Sequence, residues 1–106
     1  ARNRMLQDVK TADVVVRNPT HYAVALKYDQ SEAPAPVVVA KGKGYMAERI
    51  LEIARKHGVP MRRDIPLAQA LFKSSKVGEM IPPKLYRAVA KLLVHIFKLK
   101  GQDVSA

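Results

Sequence analysis

Four consecutive residues, Asn18, Pro19, Thr20 and His21, carry groups that can break the chain between Asn18 and Pro19. The side-chain nitrogen of an asparagine can attack its own carbonyl carbon, close a five-membered succinimide ring and expel the next residue as a free amine. Deamidation, the competing reaction, needs the backbone N–H of the following residue, and proline has none. We therefore expect this dipeptide to favour backbone cleavage over deamidation.

Two proton transfers accompany such a cleavage, because the attacking amide loses a proton and the departing Pro19 nitrogen gains one. The imidazole of His21 suits both transfers, since histidine exchanges protons near neutral pH. Thr20 is expected to stabilise the developing oxyanion through its hydroxyl or its backbone N–H. In this hypothesis Asn18 is the nucleophile and His21 is the assisting acid or base.

The same residues have a purely structural interpretation, because Asn-Pro is an ordinary opener of turns. The formal net charge of the chain is +10, from 19 Lys and Arg residues against 9 Asp and Glu. A field of that sign attracts nucleic acids, anionic membranes and acidic proteins. The alternative hypothesis is therefore a basic binding module for nucleic acid or anionic surfaces, in which Asn18-Pro19 is only a turn.

Two predicted strands flank the Asn18-Pro19 turn and would fix its geometry. Residues 14–16 are three valines, a β-branched run typical of a buried strand. Residues 22–28 alternate along the chain, which places Tyr22, Val24, Leu26 and Tyr28 on one face. Because the connection between the two runs is short, they are expected to pair in antiparallel fashion.

The remaining patterns predict two more strands and three helices after a proline-containing loop at residues 30–36. Strands are expected at 37–40 and 59–62, and helices at 45–57 and from Asp64, as N-cap, through about Phe72. A longer helix is expected between the prolines at 82–83 and Gly101. Its predicted apolar face comprises Leu85, Ala88, Val89, Leu92, Ile96 and Leu99.

This order of elements predicts an α/β fold, a small mixed sheet of about four strands surrounded by about four helices. Residues 1–12 are predicted to form an N-terminal linker or marginal helix, 13–100 the folded domain and 101–106 a flexible tail. The longest apolar runs have only a few residues, so no transmembrane helix is expected within the chain. Because it begins with Ala1 rather than Met, we expect residues upstream of it to be missing.

Several kinds of site are not expected. The chain contains no cysteine, which excludes disulfides and thiolate catalysis. The run Lys41-Gly42-Lys43-Gly44 lacks the spacing of a phosphate-binding loop and is interpreted as a turn between a strand and a helix. His57 and His95 have no carboxylate or cysteine at metal-ligand spacing, so neither a metal nor a cofactor is expected.

The segment 14–28, VVVRNPTHYAVALKY, resembles the signature of the FlhB/YscU/SpaS family, the export-switch proteins of flagella and type III secretion systems. Its NPTH motif is intact at residues 18–21. Later segments resemble the flagellar branch, namely AKG at 40–42, VP at 59–60 and IPPKLYRAVA at 81–90. One departure is Lys84, where an acidic residue is expected in the first turn of the last helix.

The resemblance implies a cytoplasmic domain that cleaves itself once between Asn18 and Pro19, rather than a multiple-turnover enzyme. In that family the two pieces stay associated, and a membrane-embedded half, missing here, precedes the domain. The implied place is the cytoplasmic side of the bacterial inner membrane, where the domain controls export-substrate specificity. Its implied partners are other export-apparatus proteins, export substrates and chaperones, without nucleic acid.

Overall fold

A computed structural model describes residues 2–19 and 21–101, and the elements below are those of these ranges. The strands are Val14–Asn18 (β1), Tyr22–Lys27 (β2), Val37–Lys43 (β3) and Met61–Arg63 (β4). The helices are Arg2–Asp8 (α1), Tyr45–Lys56 (α2), Ile65–Ser74 (α3) and Tyr86–Leu99 (α4), with short 3₁₀ helices at Val9–Thr11 and Pro83–Leu85. The predicted α/β fold with a small mixed sheet is confirmed.

The four strands form one sheet in the order β3-β2-β1-β4. β2 runs antiparallel to both β1 and β3, whereas β4 runs parallel to β1. The predicted β1–β2 hairpin is confirmed, with Val16 opposite Val24 and Asn18 opposite Tyr22. β1 is therefore an inner strand with a hydrogen-bonded neighbour on each side.

Helices cover both faces of the sheet, and the sheet separates the core into two clusters. Val14 and Val16 face the layer of α3 and α4, and Val15 faces the layer of α1 and α2, because successive side chains of a strand alternate. All three valines are fully buried. The strand that ends in Asn18 is thus packed on both faces.

The third strand is longer than predicted, because it continues through Lys43 instead of ending at residue 40. The prediction that residues 41–44 form a turn was wrong for three of the four, and only Gly44 lies between β3 and α2. Gly42 faces the first turn of α2, where an added Cβ would lie 2.7 Å from the Cβ of Met46. A glycine is needed there for close packing of the helix on the strand.

The last helix turns to the core a face that overlaps the predicted one but is rotated from it. Val89 and Ile96 are buried and Leu85 and Leu92 pack against the core as predicted, whereas Ala88 and Leu99 do not. The buried residues of α4 are Val89, Leu93, Ile96 and Phe97, whereas Ala88 is exposed and Leu99 is 67% exposed. The buried stripe is rotated by roughly a quarter turn from the predicted one. This rotation buries the large side chains of Leu93 and Phe97, which removes more apolar area from water than burial of Ala88 would.

Side-chain contacts fix both ends of α3. The Asp64 carboxylate caps its first turn, accepting a hydrogen bond from the Leu67 N–H at 3.1 Å, as predicted. Lys41, on β3, donates to the carbonyl oxygens of Phe72 and Ser75 at 2.9 and 2.6 Å. A cation at the C-terminus of a helix also interacts favourably with the helix dipole. α3 is thereby held against the sheet beside β1 and β2.

Within residues 2–19 and 21–101, no helix combines the length and the apolar character that crossing a bilayer requires. The loop after β2 contains Asp29, whose carboxylate accepts hydrogen bonds from the hydroxyl and the backbone N–H of Ser31. These bonds lower the pKa of Asp29.

The predicted tail, 101–106, lies outside the described residues apart from Gly101.

Candidate functional site

Asn18 is the last residue of β1, and only 8% of its surface is exposed. Alternation along the strand places it on the face that carries Val14 and Val16. Its cross-strand neighbour is Tyr22, whose ring centroid lies 4.7 Å from that of Phe72 on α3. The candidate nucleophile therefore lies at the border of the core.

The carbonyl oxygen of Asn18 belongs to the peptide bond at which the sequence predicts cleavage. It accepts a hydrogen bond from the backbone N–H of His21 at 2.7 Å. A donor at this distance can stabilise the negative charge that develops on the oxygen when the carbonyl carbon is attacked. The sequence pointed to Thr20 for this role, whereas in a four-residue turn opened by Asn18 the N–H of the fourth residue, His21, donates to this oxygen.

The structure brings Asn18, Pro19 and His21 together in one tight turn between β1 and β2. The imidazole of His21 is exposed at the surface, and its action as an acid or base stays a prediction. Thr20 lies outside the described residues, so its predicted stabilisation of the oxyanion also stays a prediction.

The far side of the turn is attached to the corner between β3 and α2. The Gly44 N–H donates to the carbonyl oxygen of His21 at 3.0 Å. Gly44 has φ 58° and ψ −125°, a conformation that residues with a Cβ rarely adopt. The position of the His21 backbone therefore depends on a glycine that is distant in sequence.

We expect Gly44→Ala to lower the free energy of unfolding by about 1–3 kcal/mol, because alanine is strained at this φ and ψ. If the chain cleaves itself, the same variant should cleave several-fold more slowly, because relief of the strain at residue 44 displaces the N–H that holds the His21 carbonyl. Urea unfolding measures the first effect, and a time course of intact mass measures the second.

Gly58→Ala is the matched control, because Gly58 also has a positive φ, 70°, and lies at the end of α2. Its backbone N–H donates to the carbonyl oxygen of Arg55 and not to the turn. Gly58→Ala should lower stability while leaving the cleavage rate unchanged. An equal loss of rate in both variants would attribute the effect to general destabilisation.

Arg17 contacts the turn from the opposite face of the sheet. Its Nη2 and Nε donate hydrogen bonds to the carbonyl oxygen of Pro19 at 2.9 and 3.3 Å. Its side chain and Pro19 line a shallow cavity of about 280 Å³ against α2. The other lining residues are Glu48, Leu51, Glu52 and Arg55. No sequence pattern points to Arg17, because its contact depends on the path of a long side chain.

A second concave surface lies between the loop after β2 and α4, with a volume of about 320 Å³. Its lining is mainly apolar and includes Pro34, Pro36, Tyr86, Leu93 and Phe97. Such a surface suits the apolar side chains of a partner.

Among the described residues, no three His, Cys, Asp or Glu side chains are grouped so that they could hold a metal ion.

Residues 1–96 match the model of a protein family described as FlhB HrpN YscU SpaS. The flagellar biosynthetic protein FlhB of Yersinia enterocolitica is 52% identical over 100 residues, which cover 94% of this chain and 26% of that protein. FlhB of Bacillus subtilis is 42% identical over 100 residues, which cover 94% of this chain and 28% of that protein. The chain thus spans about a quarter of the length of these curated relatives.

Several solved structures share the fold. The cytoplasmic domain of FlhB from Shewanella putrefaciens superposes with a TM-score of 0.89 at 41% identity, covering 92% of this chain and 80% of that one. A mutated EscU C-terminal domain superposes with a TM-score of 0.84 at 31% identity, covering 96% of this chain and 97% of that one. The likeness includes the sheet that carries the Asn18 turn, since it extends over nearly the whole chain.

Proposed function

This chain belongs to the FlhB HrpN YscU SpaS family, and on that premise we propose that it is a cytoplasmic export-switch domain that cleaves itself between Asn18 and Pro19. The observation that carries the proposal is the hydrogen bond from the His21 N–H to the Asn18 carbonyl oxygen, at 2.7 Å. It places a donor on the one oxygen that gains charge if this peptide bond is attacked.

The first step is attack of Asn18 Nδ2 on the carbonyl carbon of the same residue. The new bond closes a ring of five atoms, and the negative charge moves to the carbonyl oxygen, which the His21 N–H faces. Because β1 holds the backbone of Asn18 and the turn holds its carbonyl, little freedom is lost on reaching this arrangement. The buried position of Asn18 also limits the access of water to the site.

In the second step the bond between the Asn18 carbonyl carbon and the Pro19 nitrogen breaks. The attacking nitrogen loses one proton and the Pro19 nitrogen gains one, so the products are a C-terminal succinimide and an N-terminal proline. The exposed imidazole of His21 is the group we assign to this transfer, directly or through water. Water later opens the succinimide.

We expect His21→Ala to slow cleavage by about 100-fold without abolishing it, because general acid–base assistance is lost while the backbone N–H of residue 21 remains. The measurement is the first-order rate constant from intact mass. His57→Ala is the matched control, since His57 is also exposed but lies at the end of α2. An unchanged rate in His21→Ala would remove the imidazole from the mechanism.

In the cell, the domain would act at the cytoplasmic side of the bacterial inner membrane, attached through a preceding membrane region. Its partners would be other export-apparatus proteins, export substrates and chaperones, and its own N-terminal piece would stay bound. The family and the shared fold of FlhB and EscU domains support this assignment.

The deciding experiment is an intact-mass spectrum of freshly purified protein after denaturation, which separates pieces that remain bound in the folded state. Two species corresponding to residues 1–18 and 19–106, with proline as the new N-terminus, are the expected result. A single uncut species that persists through long incubation at neutral and mildly alkaline pH would contradict the proposed self-cleavage.

One observation favours the second candidate, a binding module for anionic surfaces. Residues 80–102 contain no Asp or Glu, and their five cations are all exposed: Lys84, Arg87, Lys91, Lys98 and Lys100. Binding to nucleic acid through such cations would weaken steeply with added salt. Retention on RNA or on an anionic column that shows no salt dependence would exclude this candidate.

A further inference from the structure

The hydrogen bonds of Arg17 span the peptide bond proposed to break. Arg17 precedes Asn18, whereas the acceptor is the carbonyl oxygen of Pro19, on the other side of that bond. The guanidinium group thus connects the future N-terminal piece to the future C-terminal piece, without contacting an atom that forms or loses a bond in the reaction.

The backbone that carries this side chain is firmly held. Arg17 pairs with Ala23 of β2 on one side and with Arg63 of β4 on the other, and its carbonyl oxygen accepts from the Asp64 N–H at 3.1 Å. An anchor in an inner strand that is paired on both edges moves little relative to the turn. The guanidinium is itself partly buried in the cavity against α2.

Restraining the carbonyl of a proline restrains the whole residue. The pyrrolidine ring already fixes φ, so a fixed carbonyl leaves the Pro19 nitrogen little freedom to rotate relative to the Asn18 carbonyl. The two carbonyls on either side of the scissile nitrogen are therefore both held, one by the His21 N–H and the other by Arg17.

We propose that Arg17 is a positioning residue for self-cleavage, which orients the leaving Pro19 nitrogen by hydrogen bonding to the Pro19 carbonyl oxygen. This inference rests on the proposed function. The contact is with the Pro19 oxygen and not with the oxygen that gains charge, so the hydrogen bond and not the positive charge is the effective feature.

This distinction can be tested with glutamine. The side-chain nitrogen of glutamine is separated from the backbone by as many bonds as the Nε of arginine, and Arg17 Nε lies 3.3 Å from the Pro19 oxygen. Arg17→Gln therefore keeps one donor near that oxygen and removes the charge. Arg17→Met keeps an apolar stem of similar length and removes both.

The experiment compares first-order cleavage rate constants, from intact mass, for the unchanged chain and its variants. Arg17→Met should cleave about tenfold more slowly, as expected for loss of hydrogen bonds from a charged donor. Arg17→Gln should stay within about threefold of the unchanged chain. Arg4→Met, an equal change of charge at an exposed position of α1, should leave the rate unchanged.

Arg17→Thr is a second variant that removes the guanidinium, and it is chosen because threonine favours strand structure and should preserve folding. Its cleavage rate should equal that of Arg17→Met. Circular dichroism and the thermal midpoint establish that each variant is folded. Unchanged rates in Arg17→Met and Arg17→Thr would overturn the inference, as would Arg17→Gln cleaving as slowly as Arg17→Met. If the unchanged chain stays whole, the proposed function itself fails.

Discussion

Asn18→Ala should leave the chain whole under conditions in which the unchanged protein is fully cut, because alanine has no side-chain nitrogen to attack the carbonyl. This is the largest effect that the proposed mechanism requires. Asn18→Gln should also cleave at least 100-fold more slowly, since its longer side chain closes a ring of six atoms from a displaced position. Intact mass after prolonged incubation measures both variants.

Asn3→Ala is the control for this prediction, because Asn3 is the only other asparagine in the sequence and no proline follows it. It should be cut as fast as the unchanged protein. A break at the same bond in Asn18→Ala would disprove cyclisation of Asn18, whatever the outcome for the other variants.

The second large effect concerns the cut protein, whose two pieces should stay together until the domain unfolds. Residues 1–18 contribute four fully buried valines, Val9, Val14, Val15 and Val16. Their burial contributes about 6 kcal/mol to the free energy that holds the two pieces together. In addition, β1 is hydrogen-bonded along both edges. Gel filtration of the cut protein should give one peak containing both pieces, and 6–8 M urea, on the order of that needed to unfold a small domain, should separate them.

Val16→Asp tests this prediction, because it places a carboxylate in the core cluster beneath α3 and α4. The folded population should fall sharply, since an unpaired charge in an apolar site is very costly. Gln7→Asp adds the same charge to the same piece at an exposed position and should leave the complex intact. Separation of the unchanged pieces under native conditions would refute the prediction.

The sequence predicted most reliably the elements whose apolar residues follow a single pattern along the chain. Strict alternation in β2 and three successive valines in β1 were enough to predict the hairpin that holds Asn18. Residues 41–43 were misassigned because two glycines suggest a turn, whereas Gly42 is required by the approach of Met46 from α2. The face of α4 was predicted only in part, because apolar residues occupy more than half of its circumference and packing against the sheet selects among them.

The candidate site divides in the same way. The identities of Asn18 and Pro19 and the tight turn follow from the local sequence. The attachment of His21 to Gly44 and the contact of Arg17 with Pro19 do not, because the first joins residues distant in the chain and the second depends on one rotamer of a flexible side chain. Contacts of this kind are decided by the packed fold.

The inner position of β1 has a mechanical consequence for the proposed cut protein, in which the N-terminal piece would be the one attached to the membrane. Tension applied along β1 would run parallel to the strand and across the hydrogen bonds to β2 and β4. Loaded in shear, those bonds must yield together, whereas an edge strand pulled sideways would release them one at a time. The cut would thus convert a covalent link into a non-covalent coupling whose lifetime under load is set by the rate of unfolding.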